Sequence, residues 1–401
     1  MMEGVILVEV NIRPGDTLWY YSQLFRIPLD LIIDSNPNIN PNALTAGQSI
    51  NIPGFTVETM HIKQGDSLWK LAGARNISVD SLLLLNQEMN PNQLTIGEKV
   101  KVPKRIIAKL VNGKKRYDYA TLMKDIDALK AAYPFIKINH IGESVLNKSI
   151  QEIRIGKGSK KVHLNGSFHA NEWITTPILM LYINEYLLSL TNGTPIRRVK
   201  MLPLYQSVDL SIVPMVNPDG VDLVLNGPKE NREQVIAINE GSTDFTSWKA
   251  NIRGVDLNNQ YPANWEIEKK RKKPKEPAPR DYPGDDPLTE PEAQAMAELA
   301  QKEKFQRVLA FHTQGKEFYW GYEGMEPPES QVLANEFARV SGHEAVQYVD
   351  SHAGYKDWFI QEFRKPGFTM ELGKGINPLP LSQFDEIYRD MLGVFVAALY
   401  M

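Results

Sequence analysis

The sequence predicts an α/β protein that has two small βααβ modules at the front and a large α/β domain behind them. In that domain we expect a central mixed sheet flanked by helices. Three observations favour this architecture. One segment occurs twice near the N-terminus, at an offset of 50 residues. From residue 105 onward, short apolar runs alternate with amphipathic helical segments. The 401 residues also exceed the roughly 250–300 at which a single core stops growing.

The composition excludes several classes of protein. Lys and Arg total 45 against 48 Asp and Glu, a balance that argues against a nucleic-acid partner. The chain has no cysteine, which excludes thiol catalysis, disulfides and thiolate metal sites. Any metal must therefore be held by His, Asp or Glu. No run reaches the roughly 18 apolar residues of a transmembrane helix, so we expect no membrane partner.

The N-terminus has no recognisable export signal. Its apolar run, Val5–Val8, ends at Glu9, and no basic residue precedes it. A secretory signal needs a basic start followed by roughly 7–15 apolar residues. The expectation is a protein made without such a signal.

The repeat extends from residue 9 to residue 103 without an insertion. When residues 9–53 are aligned with 59–103, 15 of the 45 positions are identical, which chance does not produce. Each copy predicts a strand, two short helices and a final strand. The first strand is Val8–Ile12, and the second helices begin at Leu29 and Val79. The final strands, Ser49–Ile52 and Lys99–Val102, are expected to stop at proline.

Each copy also offers candidate caps and an aromatic side chain at its first helix. The candidate caps are Asp16 or Thr17 in the first copy and Asp66 or Ser67 in the second. Trp19 and Trp69 follow them, and we interpret both as core anchors rather than as ligand platforms.

Both copies resemble LysM domains, which bind N-acetylglucosamine-containing glycans such as peptidoglycan and chitin. The resemblance is carried by Gly-Asp-Thr/Ser-Leu-Trp, a later Asn, Leu-x-x-Gly and a closing Pro, all present twice. It implies modules at residues 5–54 and 57–104, each with two glycan-binding loops. The implied contacts are Gly15, Asp16, Thr17, Asn40, Asn42, Leu44, Gly65, Asp66, Ser67, Asn90, Asn92 and Leu94. Alternatively, Asn40 and Asn90 only shape turns.

Residues 105–401 predict the α/β domain. An amphipathic helix is expected within Arg116–Tyr133. The predicted strands are Lys161–Leu164, Asp209–Val213, Arg307–Phe311 and Gly367–Glu371, and the predicted helices between them are Thr176–Leu190, Pro291–Gln301 and Glu329–Ser341. Neither a dinucleotide or phosphate-binding loop motif nor a Gly-x-Ser-x-Gly elbow occurs in the sequence.

A metal site is the best-supported chemistry. His169 and Glu172 lie directly after an apolar strand predicted over Val162–Ser167 and before a long helix. His312 follows another apolar strand, Val308–Phe311. Two histidines and one glutamate form a known catalytic zinc set that leaves one position for water. Glu371 closes a further strand, where a general base would be needed. Taken singly, each residue is better explained as a structural one, but all four at strand ends favour a site.

This domain resembles the zinc carboxypeptidase family over roughly residues 115–400. The landmarks occur in family order: His169-x-x-Glu172, Pro214–Gly220, Trp248-Lys249, Gly254–Asn258, Tyr282–Gly284, Thr289–Glu292, His312 and Met370–Leu372. The resemblance implies one Zn²⁺ held by His169, Glu172 and His312. It also implies that Glu371 is the catalytic acid and base.

Departures from the family pattern concern the substrate. Asn259 stands where carboxypeptidases carry the arginine that grips the terminal carboxylate. Lys249, with Arg253 as a rival, stands for the arginine that polarises the scissile carbonyl. Asn258 is an implied substrate contact. Three residues compete for the position of the capping tyrosine: Tyr348, His352 and Tyr355.

The combination of modules resembles bacterial γ-D-glutamyl-L-diamino acid endopeptidases, known from spore-forming bacteria. It implies hydrolysis of the bond between γ-D-glutamate and meso-diaminopimelate, with peptidoglycan or muropeptides as partners. One alternative is a muropeptide carboxypeptidase that releases a terminal amino acid. The other is a catalytically retired wall-binding protein, against which the intact set of four site residues argues. We expect a cytoplasmic protein, or one associated with the spore or the cell wall.

Overall fold

In the computed structural model, which describes residues 7–229 and 231–401, the two repeats form one three-stranded antiparallel sheet with four short helices. Residues 5 and 6 of the predicted first module lie outside the described residues. The elements are β1 (Leu7–Asn11), α1 (Leu18–Phe25), α2 (Leu29–Asp34), β2 (Ser49–His61), α3 (Leu68–Gly73), α4 (Val79–Leu85) and β3 (Lys99–Arg105).

The strand β2 belongs to both repeats. Its first half pairs with β1 and its second half with β3, so the final strand of one copy continues as the first strand of the next. The expectation that Pro53 and Pro103 stop the strands is therefore wrong. Pro53 lies where β2 changes partner, and Pro103 lies on an edge strand. Sheets tolerate a residue without an amide hydrogen at such positions.

The caps of the first helix in each copy are the hydroxyl residues. The side chain of Thr17 accepts a hydrogen bond from the backbone N–H of Tyr20 at 3.0 Å, and Ser67 accepts one from Lys70 at 3.2 Å. Such caps satisfy backbone donors that have no partner within the helix. The neighbouring Asp16 instead accepts from Arg13 and so does not compete for this position.

The interpretation of Trp19 and Trp69 as core anchors is wrong. Their side chains are 62% and 77% exposed, whereas the preceding Leu18 and Leu68 are buried. The reason is helical periodicity, because residues 18, 21, 22 and 25 face the core of the first module. A residue one position after Leu18 points about 100° away from that face.

The α/β domain contains the remaining elements. Its helices are α5 (Tyr119–Ala132), α6 (Thr175–Asn192), α7 (Met201–Ser207), α8 (Pro218–Asn226), α9 (Arg232–Ile238), α10 (Trp265–Arg271), α11 (Pro291–Glu303), α12 (Glu329–Ser341), α13 (Tyr355–Phe363) and α14 (Phe384–Tyr400). Its strands are β4 (Lys137–Glu143), β5 (Ser149–Gly156), β6 (Lys160–Gly166), β7 (Val208–Val213), β8 (Arg307–Thr313), β9 (Glu317–Tyr319), β10 (Glu344–Val346) and β11 (Gly367–Leu372). Short 3-10 turns occupy Ala170–Glu172, Leu257–Asn259 and Leu381–Gln383.

These eight strands form one mixed sheet in the order β10-β9-β11-β8-β6-β7-β5-β4. The four central strands, β11, β8, β6 and β7, run parallel to one another. Every residue of β8 is buried, as expected for a parallel strand covered on both faces. Since parallel strands end at the same edge, residues that follow β6, β8 and β11 come together there. The predicted α/β fold with a central mixed sheet is confirmed.

One layer of the core packs α11 and α13 against β8. Alanine and methionine residues line the inner side of α11, and aromatic residues line that of α13. The buried contacts are Ala293, Met296, Ala297 and Ala300 from α11, Tyr355, Trp358 and Phe359 from α13, and Val308 and Ala310 from β8. This layer supports the strands from which the site is built.

The chain divides into two compact units. Among the described residues, one comprises those up to Leu110 together with Asp125–Lys137 and Asn184–Pro195, and the other comprises the remainder. The domain boundary near residue 105 stays a prediction. Within the part of the chain that is described, no helix has the length and apolar character needed to cross a membrane.

A buried carboxyl group in the first turn of α11 makes stability depend on pH. Glu292 is fully buried, and burial raises its pKa to about 7. Between pH 4.5 and 7 the folded chain therefore holds a proton at this group that the unfolded chain releases. The protonated carboxyl group of Glu292 therefore contributes to the free energy of unfolding at low pH, and this contribution is lost as pH rises through the folded pKa.

We expect Glu292→Gln to remove that loss. The free energy of unfolding of the variant, measured by urea unfolding, should exceed that of the parent by about 3 kcal/mol at pH 8 and by little at pH 4.5. Glu298→Gln is the matched control, because Glu298 lies exposed on the same helix. An equal pH dependence in the parent and in Glu292→Gln would contradict the assignment.

Candidate metal centre

His169 and Glu172 lie in the connection between β6 and α6. A 3-10 turn over Ala170–Glu172 follows His169, and the backbone N–H of Glu172 donates to the His169 carbonyl at 3.2 Å. This tight turn brings side chains three positions apart to the same side. The amide of Ala170 donates to the carbonyl of Lys249 at 3.0 Å, which fixes the turn against the segment that carries Lys249.

His312 reaches the same place from the neighbouring strand. In the parallel pairing of β6 with β8, Gly166 faces Phe311, so His312 stands one residue beyond the end of β6. Its side chain is 1% exposed and therefore almost entirely enclosed. The edge of the sheet thus delivers the third predicted ligand beside the first two.

The three side chains converge closely. Nδ1 of His169 lies 3.1 Å from Nδ1 of His312, and the two oxygens of Glu172 lie 2.9 Å from these nitrogens. Ligand atoms placed 2.0–2.1 Å from a tetrahedral ion are separated by about 3.3 Å. Two imidazole nitrogens that face one another need a proton or a cation between them. The donor set of two nitrogens and a carboxylate therefore fits zinc.

Asp256 supports His169 from behind and was not assigned a role from the sequence. Its carboxylate lies 3.1 Å from Nε2 of His169 and is buried. Burial alone would raise the pKa of Asp256, but the charges of Lys249 and His169 hold it well below its usual range. A carboxylate in this position fixes the ring orientation of a metal-binding histidine. In the sequence, the only indication of a role for Asp256 was its place in the Gly254–Asn258 motif.

Glu371 stands on β11 directly beside His312. The two residues are paired in the parallel register of β11 and β8, so their side chains emerge on the same face of the sheet. Burial and the negative charge of Glu172 raise the pKa of Glu371 to about 8. Glu317 on β9 is paired with Glu371 in the antiparallel register of β9 and β11, and it adds a further carboxylate. The accumulated negative charge favours a cation at this edge.

Lys249 and Arg253, the two candidates for the electrostatic role, lie beside different carboxylates. The Lys249 ammonium lies 3.4 Å from Asp256, and its side chain is largely buried. Arg253 instead points to Glu290, 3.5 Å away, and its side chain is 51% exposed. Lys249 is therefore beside the metal ligands, and Arg253 is bound to a different carboxylate. This placement favours Lys249 for the predicted electrostatic role.

The predicted substrate contacts each have other partners in the structure. The side-chain oxygen of Asn258 accepts from the backbone N–H of Tyr355 at 3.1 Å and so caps α13. Asn259 is buried in the turn that follows Asp256. His352 lies 3.1 Å from the Tyr322 hydroxyl, and Tyr348 is exposed and donates to Glu326. Their roles toward substrate stay predictions.

Tyr355, the third candidate for the capping position, is fully buried. It contacts the rings of Phe168, Tyr261 and Trp358. Burial also raises the pKa of its hydroxyl. The surroundings favour a core role for this tyrosine.

The predicted glycan contacts lie in surface loops of the first unit. None of the twelve is buried. The side chain of Asn40 accepts from the N–H of Asn42 at 3.0 Å, and Asn90 accepts from Asn92 at 3.1 Å. Both asparagines therefore shape turns. Their part in glycan binding stays a prediction.

The family model described as zinc carboxypeptidase matches residues 122–392, and the LysM domain model matches residues 10–53 and 60–103. The chain is 61% identical over 397 residues to gamma-D-glutamyl-L-diamino acid endopeptidase 1 of Lysinibacillus sphaericus, covering 98% of this chain and 100% of that protein. It is 48% identical over 297 residues to the uncharacterized protein YqgT of Bacillus subtilis (strain 168), covering 72% and 79%.

Among solved structures, the chain is similar to bovine thrombin-activatable fibrinolysis inhibitor in complex with tick carboxypeptidase inhibitor. The TM-score is 0.56 at 17% sequence identity, and the match covers 72% of this chain and 97% of that one. At this identity the likeness shows the fold alone. It agrees with the mixed sheet described above.

Proposed function

The chain belongs to the zinc carboxypeptidase family and carries two LysM domains, and from that premise we propose that it hydrolyses the bond between γ-D-glutamate and meso-diaminopimelate in peptidoglycan stem peptides. It is a zinc metallopeptidase. The observation that carries the proposal is the buried convergence of His169, Glu172 and His312. The relative from Lysinibacillus sphaericus, which is named for this class of bond, supports the substrate.

The residues of the site divide the chemistry between them. We propose that His169, Glu172 and His312 hold one zinc ion. A zinc ion bound there would supply a water of lowered pKa and would polarise the scissile carbonyl. Glu371 accepts the proton of the attacking water and passes it to the leaving amine nitrogen. The Lys249 ammonium offsets the negative charge that develops on the carbonyl oxygen.

Asn259 favours an endopeptidase over a C-terminal trimmer. An arginine at this position would match a terminal carboxylate with two parallel hydrogen bonds. A neutral asparagine offers one amide donor group and one acceptor, which suits a peptide group inside a chain. An asparagine at this position therefore favours cleavage before diaminopimelate even where a further residue follows it.

Two LysM domains indicate peptidoglycan as the polymer that the protein binds. We propose that they hold the enzyme on N-acetylglucosamine units while the stem peptide is cut. We propose that it acts in cell-wall or spore-wall turnover, with the protein associated with the wall.

Mass spectrometry of the products from L-Ala-γ-D-Glu-meso-diaminopimelyl-D-Ala tests the bond. The proposed activity releases L-Ala-D-Glu and diaminopimelyl-D-Ala, and chelation of zinc abolishes both. Release of D-Ala alone would identify a carboxypeptidase instead. The isomer joined through the α-carboxylate of D-Glu is the matched control substrate, and we expect it to stay intact.

A further inference from the structure

A cleft of about 1050 Å³ lies within the first unit, between the two LysM modules and the last residue of α6, Asn192. Its walls are the end of α1 (Gln23–Arg26), the turn Asn76–Ser78 of the second module and the strand segment Val102–Arg105. None of the twelve predicted glycan contacts lines it. The cleft is therefore separate from the loops that the LysM resemblance implies.

The lining of this cleft is cationic. It carries Arg26, Arg75, Lys104 and Arg105 against one acidic residue, Glu58. Apolar side chains, among them Ile77 and the largely exposed Ile107, cover part of the wall. The cleft therefore suits an anionic ligand that also has aliphatic groups.

The arginines lack carboxylate partners among the described residues. Arg105 donates to the carbonyls of Thr191, at 2.8 Å, and Phe25, and its guanidinium lies over the Phe55 ring. Arg75 donates to the carbonyl of Leu71 at 3.2 Å and contacts the sulfur of Met60 at 3.3 Å. Arg26 is exposed. Neutral groups therefore hold Arg75 and Arg105, and the cleft keeps an excess of positive charge.

The cations also stand close to one another. Nη2 of Arg105 lies 3.5 Å from the carbonyl oxygen of Arg26. Burial and the nearby charge of Arg26 lower the pKa of Arg105. Holding like charges together costs free energy unless an anion joins them. A ligand carboxylate would relieve the repulsion and accept paired hydrogen bonds from a guanidinium.

The two modules are also fixed relative to each other around this cleft. Arg13 of the first module forms two hydrogen bonds of 2.7 Å with Asp80 of the second. The hydroxyl of Tyr20 donates to the same carboxylate. Because Tyr20 also lines the cleft, its shape is set before a ligand arrives.

We infer that this cleft binds the carboxylates of stem peptides attached to the glycan strand that the LysM loops hold. The inference rests on the proposed function for the identity of the polymer. Stem peptides present the free carboxylates of γ-linked D-glutamate and of diaminopimelate, together with alanine methyl groups. Their chemistry thus matches both the arginines and the apolar wall.

Binding measurements on the full chain test this, with Glu371→Gln present so that peptides stay uncut. We expect Arg26→Gln/Arg75→Gln to weaken binding of N-acetylglucosaminyl-N-acetylmuramoyl-L-Ala-γ-D-Glu-meso-diaminopimelate by about tenfold or more. Binding of a peptide-free N-acetylglucosamine oligomer should not change. The single variant Arg26→Gln, which alters an exposed side chain, should give a smaller loss in the same direction.

Lys99→Gln/Lys101→Gln is the matched control, since it removes two exposed charges from the second module outside the cleft. An equal loss for both ligands, or no loss for either, would overturn the inference. A third ligand, cell walls that carry phosphate polymers, tests for a phosphate. If the arginine variant weakened binding to these walls but not to the disaccharide tripeptide, the ligand would be a phosphate and the inference would also be overturned. Tripeptide hydrolysis by the parent protein reports separately on the proposed function.

Discussion

Glu371→Gln is expected to lower kcat for the γ-D-glutamyl bond by about 10²–10⁴-fold while zinc stays bound. The amide has nearly the shape of the carboxyl group but cannot take the proton of the attacking water. Glu371 is not among the three converging side chains, so the metal should remain. Steady-state kinetics together with metal analysis of the same preparation measure both quantities.

Glu317→Gln is the matched control for that experiment. Glu317 on β9 is paired with Glu371 on β11, and its carboxylate accepts a hydrogen bond from the Tyr319 hydroxyl. Removing its charge alters the surroundings of Glu371 without removing the base, so most of the activity should remain. Full activity in Glu371→Gln, or loss of zinc from it, would show that the glutamate has another role.

His312→Ala is expected to abolish activity by releasing the metal. The substitution removes one of three converging ligands and leaves Glu172 with one fewer partner for its buried charge. Metal analysis after dialysis should find far less than one zinc per chain. Asp256→Asn should weaken zinc binding by about 10–100-fold only, because Asp256 orients His169 and is not itself one of the ligands.

His140→Ala controls for the loss of a histidine as such, since His140 is exposed on β4. It should keep both zinc and activity. Stoichiometric zinc in His312→Ala would refute the ligand assignment. Circular dichroism of each variant separates loss of metal from loss of fold.

The sequence predicted the parts of the fold that repeat or that follow a simple period. The strand ends that carry His169 and His312 could be located because parallel buried strands form continuous apolar runs. The two LysM modules were visible as an internal repeat. Boundaries of helices such as Glu329–Ser341 followed from amphipathic spacing and agree with the structure.

Other features depend on contacts distant in the sequence. That Pro53 lies inside a strand depends on β2 having two partners, which no local pattern reveals. The exposure of Trp19 depends on which helical face meets the sheet. The choice between Lys249 and Arg253 required the position of Asp256, since both cations fit the spacing. Tertiary contacts decided each of these cases.

The shared strand β2 has a consequence for avidity. Modules joined by a flexible linker lose part of their combined affinity, because the second site must be found within the volume the linker allows. Here a continuous 13-residue strand replaces the linker, so the second module is held at one distance and one rotation from the first. A glycan whose repeat matches that geometry gains the second contact with little further loss of entropy. One that does not match is held by a single module.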